Sequence, residues 1–203
     1  MKMIKGLYAT VALASALVAM PAVAATPIVS SGKLMGATGV TIGGASYDVA
    51  FLDGTCSSVF GGCSTSNFTF TTLSSAFAAG NALLSQVFVD SAAGAFDTHP
   101  NLTNGCSTSI VCNILIPFAK GNGVVLVKDT VNTATSSLDF TVPLAISANV
   151  STKSLPSVVY AKFTPSLTAA VPEPGTWAMM LAGFGAMGAA LRYRKRSTKL
   201  SFA

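Results

Sequence analysis

Alternation of apolar and polar residues predicts most of the secondary structure in the central part of the chain. From 46 to 52, Tyr47, Val49 and Phe51 fall on one face while small or polar residues fall on the other, as in a half-buried strand. Similar patterns predict strands at 34–42, 68–71, 113–119, 124–129, 138–144 and 157–164. The KGNG sequence at 120–123 separates two of these strands and predicts a β-hairpin.

One segment has helical spacing instead. Leu73, Phe77, Leu84 and Phe88 recur at intervals of four, seven and four residues, which predicts a helix over 73–89 with these side chains on its buried stripe. The Gly80-Asn81 pair weakens the middle of that helix. The predicted fold is α+β or mainly β, a single exported domain at 25–165 with five to seven strands and one principal helix.

The first 24 residues have the three parts of a secretory signal peptide. Two lysines precede an apolar run, and an Ala-x-Ala pattern follows it. Signal peptidase is therefore expected to cut between Ala24 and Ala25, with Ala22 completing the recognition pattern. The alternative is an uncleaved membrane anchor, which the short apolar run and the helix-breaking Pro21 disfavour.

The C-terminal apolar run is framed by two unlike segments. Pro172-Glu173-Pro174 precedes it, and the two prolines favour an extended backbone that a processing enzyme can thread through its cleft. The run itself, 177–191, predicts a membrane-spanning helix of only ~23 Å, against about 30 Å of bilayer hydrocarbon. A cationic stop follows and would hold the C-terminus in the cytoplasm; it consists of Arg192, Arg194, Lys195 and Arg196.

Two other interpretations of this run are open on physical grounds. A buried core helix is disfavoured because the run has no polar face. A simple tail anchor would need no processing enzyme at all.

The C-terminal residues resemble the PEP-CTERM sorting domain of Gram-negative bacteria, in its PEPxxWA subtype. The resemblance rests on the glycine pattern and basic cluster that follow, and on the motif residues Pro172, Glu173, Pro174, Thr176, Trp177 and Ala178. It implies a precursor held transiently in the inner membrane, processed by an exosortase-like enzyme and associated with exopolysaccharide and the cell surface. Residues 166–171 would be a linker, and 197–203 a cytoplasmic tail beyond the usual end of such domains.

Charge excludes one class of partner once both terminal segments are set aside. Residues 25–171 contain five lysines, six aspartates, no arginine and no glutamate, a net charge of about −1. Nucleic-acid binding needs clustered Lys and Arg, so no nucleic-acid partner is expected. The domain is instead rich in Ser, Thr, Ala, Gly and Val, which is typical of a secreted β-rich surface protein.

Four cysteines fit an oxidising compartment, where an even number predicts two disulfides. Three connectivities exist. The local pairs Cys56–Cys63 and Cys106–Cys112 are favoured because Gly61-Gly62 and Asn104-Gly105 allow tight loops. Zinc is disfavoured because neither pair has the spacing of a zinc knuckle and the chain has one histidine.

Candidate catalytic residues are few. Asp53-Gly54 is interpreted as a turn rather than a catalytic carboxylate, and His99 as an incidental residue of a polar loop. A Ser-His-Asp triad lacks its accompanying signatures. No catalytic, cofactor or metal residue is therefore assigned, and the chain is expected not to be an enzyme.

Three classes of function remain. The favoured hypothesis is a structural or interaction protein of the cell envelope or extracellular matrix, associated with surface polysaccharide. The alternative is a carbohydrate- or ligand-binding module, for which Tyr47, Tyr160 or exposed Phe residues would have to supply the aromatic platform, since Trp177 lies in the sorting segment. A secreted hydrolase is disfavoured because paired glutamates are missing.

Overall fold

A computed structural model describes residues 25–166 and 174–194. Within these ranges the chain forms one mainly β domain followed by a C-terminal helix. The strands are β1 (Thr26–Ser30), β2 (Lys33–Ile42), β3 (Ala45–Leu52), β4 (Asp90–Ser91), β5 (Gly94–Ala95), β6 (Val111–Lys120), β7 (Val124–Thr133), β8 (Phe140–Ser147) and β9 (Val158–Pro165). The helices are α1 (Cys56–Phe60), α2 (Leu73–Gln86) and α3 (Pro174–Arg194). The predicted mainly β domain with one principal helix is confirmed.

Seven strands form one sheet in the order β1-β2-β3-β9-β6-β7-β8. Neighbouring strands are antiparallel except β6 and β9, which run parallel. The last strand of the domain thus lies at the centre of the sheet, with β1, β2 and β3 on one side and β6, β7 and β8 on the other. The other two strands, β4 and β5, form a separate two-residue ladder.

The sheet has an apolar core on each face, which we call the helix face and the groove face. The helix face, covered by α2, carries Ile114 and Val159. The groove face carries Leu115 and Tyr160, which pack with α1 and the segment after it. Successive residues of a strand point to opposite faces, so β6 and β9 contribute to both cores.

Helix α2 begins as the sequence predicts, but its buried face is different. Thr72 caps the helix through a reciprocal hydrogen-bonding box with Ser75. Leu73 and Phe77 of the predicted stripe are each 45% exposed, so that part of the prediction is wrong. The buried face instead consists of small residues and one leucine: Ala76, Ala79, Gly80 and Leu83.

A close approach between α2 and the sheet explains this choice of face. A Cβ atom on Gly80 would lie 2.4 Å from Thr130 Oγ1 of β7, so only glycine fits there. Phe77 covers the sheet from the side, with Lys128 Nζ 4.7 Å from its ring centroid. The mostly small side chains of this face therefore let α2 lie close to the sheet, and the larger side chains of Leu73 and Phe77 stay partly exposed.

The predicted strand at 68–71 is also wrong, because its alternation has another cause. This segment has no strand partner; Phe68 packs in the core of the groove face and Phe70 in the core of the helix face. The chain passes from one face to the other between them. The remaining predicted strands and the 120–123 hairpin are confirmed, whereas β1 and the short β4–β5 ladder were not predicted.

Several sequence predictions lie outside the described residues. These are the signal peptide at 1–24 with Ala22 and Ala24, most of the 166–171 linker, the motif residues Pro172 and Glu173, the basic residues Lys195 and Arg196, and the tail at 197–203. They stay predictions.

Candidate functional site

The described part of the sorting segment is a helix. Helix α3 has 21 residues and contains the whole apolar run predicted at 177–191. Pro174 is its first residue, a position where the missing N–H and fixed φ of proline are tolerated. The helix ends at Arg194, within the basic cluster that follows the apolar run.

Large apolar side chains of α3 are exposed around the helix rather than along one stripe. Met179, Leu181, Phe184 and Met187 are each more than 60% exposed. Among the helices of 25–166 and 174–194, none combines the length and the apolarity needed to cross a membrane. The helix itself is confirmed, and its crossing of a membrane stays a prediction.

Comparison with known proteins identifies this segment. Residues 170–195 match a family model described as the PEP-CTERM protein-sorting motif. The chain carries a PEP-CTERM sorting motif. The motif supports an exported protein that is processed by an exosortase-type membrane enzyme, with a membrane-anchored precursor that precedes the surface form. No curated protein and no solved structure matches the chain significantly.

The domain at 25–166 lies wholly outside the matched residues. Both predicted disulfides are present in this domain, with Cα–Cα distances of 5.3 Å for Cys56–Cys63 and 5.8 Å for Cys106–Cys112. The first bridge ties the start of α1 to the loop that follows Gly61, whose left-handed φ of 69° ends the helix. One bridge thus constrains the segment that follows β3, and the other constrains the loop that leads into β6.

The residues considered for catalysis and sugar binding are described by their contacts within the fold. Asp53 accepts a hydrogen bond of 2.8 Å from Thr152 Oγ1, which links the end of β3 to a distant loop. His99 is exposed, with Nδ1 3.0 Å from Thr98 Oγ1. Tyr160 is fully buried, so its proposed use as an exposed aromatic platform is wrong. Tyr47 is half-buried and packs against Phe70, with ring centroids 5.3 Å apart.

The functional candidate that sequence reasoning missed is Asp129. Along β7 the residues on the groove face are Val125, Val127, Asp129 and Val131, so one carboxylate occupies a position in an apolar series. Its neighbours across the sheet are Leu115 on β6 and Val142 on β8. The sequence could have revealed it, because Asp129 stands where the alternation of this strand calls for an apolar residue.

Asp129 lines a cavity of about 230 Å³ at the β8 edge of the groove face, which we call the Asp129 groove. Its apolar walls are Leu115, Leu144, Ile146, Val150, Leu155 and Val158, and its other polar residues are Asn113 and Thr152. The Asp129 side chain is 8% exposed. Its Oδ1 atom is buried without a hydrogen-bond partner among the described residues.

Burial raises the pKa of Asp129 to about 6 from the usual 3.8. No charged neighbour contributes to this shift, so desolvation of the carboxylate is its whole cause. A carboxylate held in apolar surroundings without a partner is costly for the protein alone and favourable for a ligand that brings a positive charge. The groove thus has the chemistry of a binding site.

Proposed function

We propose that the chain is an exported precursor whose domain at 25–165 acts at the cell surface as a structural or interaction protein associated with surface polysaccharide. The observation that carries the proposal is the PEP-CTERM motif at 170–195. Two disulfides and a surface rich in hydroxyl groups, with almost no net charge, suit a protein that works outside the cell.

The proposed order of events follows the chain from end to end. Signal peptidase cuts after Ala24, and the domain folds and oxidises outside the inner membrane. Helix α3 then holds the precursor in that membrane; its apolar run at 177–191 reaches ~23 Å, and local thinning of the bilayer would close the gap to the ~30 Å of hydrocarbon. The basic cluster at 192–196 would then stay on the cytoplasmic side. The exosortase-like enzyme acts near Pro172-Glu173-Pro174.

The experiment that tests this proposal changes the motif and leaves the domain intact. The double variant Pro172→Ala/Pro174→Ala is expressed in a host that has an exosortase, and antibodies against the domain follow it through cell fractionation. We expect full-length precursor to accumulate in the inner membrane while the wild-type chain is shortened and leaves that fraction. The intact mass of the mature protein identifies both ends.

Two controls make the result specific. Pro156→Ala replaces an exposed proline of the domain and should mature normally. Deleting the exosortase should give the wild-type chain the same fate as the double variant. Normal maturation of the double variant would contradict the assigned role of the two prolines, and normal maturation without the enzyme would contradict exosortase processing.

The role in polysaccharide has a separate test. If the mature domain associates with surface polysaccharide, enzymatic removal of that polysaccharide should release it from intact cells. Release by a salt wash alone, with the polysaccharide intact, would contradict the association and would leave the proposed sorting step unaffected.

The Asp129 groove favours a second candidate function, that of a ligand-binding module.

A further inference from the structure

We propose that the Asp129 groove binds a small organic amine, whose ammonium group pairs with the Asp129 carboxylate and whose hydrocarbon body lies on the apolar walls. This inference goes beyond sorting and does not rest on it. It concerns a site on the folded domain, whereas the PEP-CTERM motif concerns delivery.

Asp129 is the one carboxylate among the described residues that line the groove, and the other polar side chains there, those of Asn113 and Thr152, are neutral. Thr152 Oγ1 already donates to Asp53 Oδ1 at 2.8 Å and accepts from the Gly54 N–H at 3.0 Å. Asp129 Oδ1 accepts no hydrogen bond from the described part of the chain. A buried acceptor without a donor costs about 1–3 kcal/mol, more when it is charged, and a bound donor relieves that cost.

The described residues supply no cation to Asp129. Lys128, next to it on β7, points to the opposite face and lies against Phe77. Lys162 on β9 donates to the Val59 carbonyl at 3.1 Å. Lys153, in the turn at 152–154, is exposed and does not line the groove. Strand β8 has no titratable residue. An ammonium ion from outside is therefore the matching group.

The volume of the groove suits a small ligand. An apolar cavity of about 150 Å³ holds benzene, and pockets for drug-sized ligands span about 300–1,000 Å³. A groove of about 230 Å³ lies between these and suits a ligand of roughly ten non-hydrogen atoms. Leu144, Val150 and Leu155 are each more than a third exposed at its rim, so a hydrocarbon body would cover them.

Larger occupants are disfavoured by the edge strand. A second copy or a partner strand would pair with the free edge of β8, but Pro143 lies in the middle of that strand and has no N–H to donate. An apolar ligand with one cationic head needs no backbone pairing. The groove, rather than the strand edge, is thus the binding feature.

The test uses three ligands of nearly equal shape: cyclohexylmethylamine, cyclohexylmethanol and cyclohexanecarboxylate. Binding to the mature, disulfide-bonded protein purified from its host is measured by calorimetry and by ligand-observed NMR at pH 7.5. We expect the amine to bind at least tenfold more tightly than the alcohol, with no binding of the carboxylate. Equal affinity for the amine and the alcohol would overturn the proposal.

Single substitutions test whether the measured amine affinity belongs to the Asp129 groove. Asp129→Asn should weaken amine binding at least tenfold and leave alcohol binding unchanged. Asp97→Asn removes an equal charge outside the groove and should bind the amine as the wild type does. Leu144→Ala should weaken amine and alcohol alike. Full amine affinity in Asp129→Asn would place the ligand elsewhere and overturn the proposal.

The pH dependence gives a second measure. Since burial raises the pKa of Asp129 to about 6, amine affinity should rise from pH 5 to pH 7 and then stay level. Asp53, the carboxylate next nearest to the groove, bonds to Thr152. Burial raises the pKa of Tyr160 above its usual value and so further from this window. Asp129→Asn should remove the rise. A pH-independent wild-type affinity would overturn the proposal.

Occupation by a second copy is the remaining alternative. It predicts a dimer in light scattering that Leu144→Glu dissociates and that excludes all three ligands. That result would replace the amine site with a self-association surface.

Discussion

At the scale of single residues, Asp129 and Gly36 are the positions whose surroundings constrain them most. Asp129 is a carboxylate among valines, and its folded-state pKa lies above its unfolded one. A carboxyl group of this kind binds its proton more tightly in the folded protein. Its contribution to stability is therefore fully present below about pH 4 and is lost as the pH rises to about 6.

Replacing this carboxylate should stabilise the domain at neutral pH. Asp129→Asn keeps the shape of the side chain and removes the desolvated charge, so we expect an increase of the order of 1–3 kcal/mol in the free energy of unfolding at pH 7.5. Near pH 4 the variant and the wild type should be equally stable. Urea unfolding at both pH values measures the difference, and a variant that is less stable at pH 7.5 would contradict it.

Gly36 is constrained by the backbone of the next strand. A Cβ atom at this position of β2 would lie 2.0 Å from the Val49 carbonyl oxygen of β3. Gly36→Ala should therefore separate the two strands and lower the free energy of unfolding by more than about 2 kcal/mol. Gly121→Ala is the matched control because its added Cβ would meet no atom closer than 3.8 Å. Equal urea midpoints for the two variants would rule out the contact.

At the scale of elements, local patterns predicted the long central strands but not β1, and they did not predict which neighbours a segment contacts, as the wrong strand at 68–71 shows. The β6–β7 hairpin was predictable because KGNG and its flanking apolar runs are contiguous. The buried face of α2 was not, because it depends on how closely β7 approaches Gly80. Likewise the sorting motif is contiguous and was found, whereas the Asp129 groove is assembled from β6, β7, β8, β9 and a loop.

The packing of α2 gives a prediction at this scale. Gly80→Ala would place a methyl group 2.4 Å from Thr130 Oγ1 and should push the helix off the sheet, although alanine is the better helix former. We expect the melting temperature to fall by several degrees. Asn81→Ala, one residue along on the exposed side, should leave it unchanged or raise it slightly. Stabilisation by Gly80→Ala would contradict the close approach.

At the scale of the whole molecule, the two disulfides and the order of strands describe a domain suited to folding outside the cell. Cys56, Cys106 and Cys112 are buried, so each bridge is part of a packed core as well as a loop constraint. The insertion of β9 at the centre of the sheet was not predictable, because strand order depends on contacts between distant segments.

Loss of one bridge should weaken the whole domain. Cys56→Ser/Cys63→Ser is expected to lower the free energy of unfolding by about 2–3 kcal/mol, measured by urea unfolding of the oxidised protein. Cys106→Ser/Cys112→Ser should have an effect of similar size. Wild-type protein in reductant, with both bridges open, should be less stable than either variant. A wild type indifferent to reductant would show that the bridges contribute no stability.

The central position of β9 also constrains when the domain can fold during export. The sheet cannot be completed until the residues up to Pro165 have crossed the inner membrane, because β9 joins β1–β3 on one side to β6–β8 on the other. Ser166 continues from that strand, and the six peptide units to Pro172 reach at most ~20 Å. If α3 anchors the precursor, the finished domain is therefore tethered against the bilayer, and the processing enzyme must work in the narrow gap between folded protein and lipid.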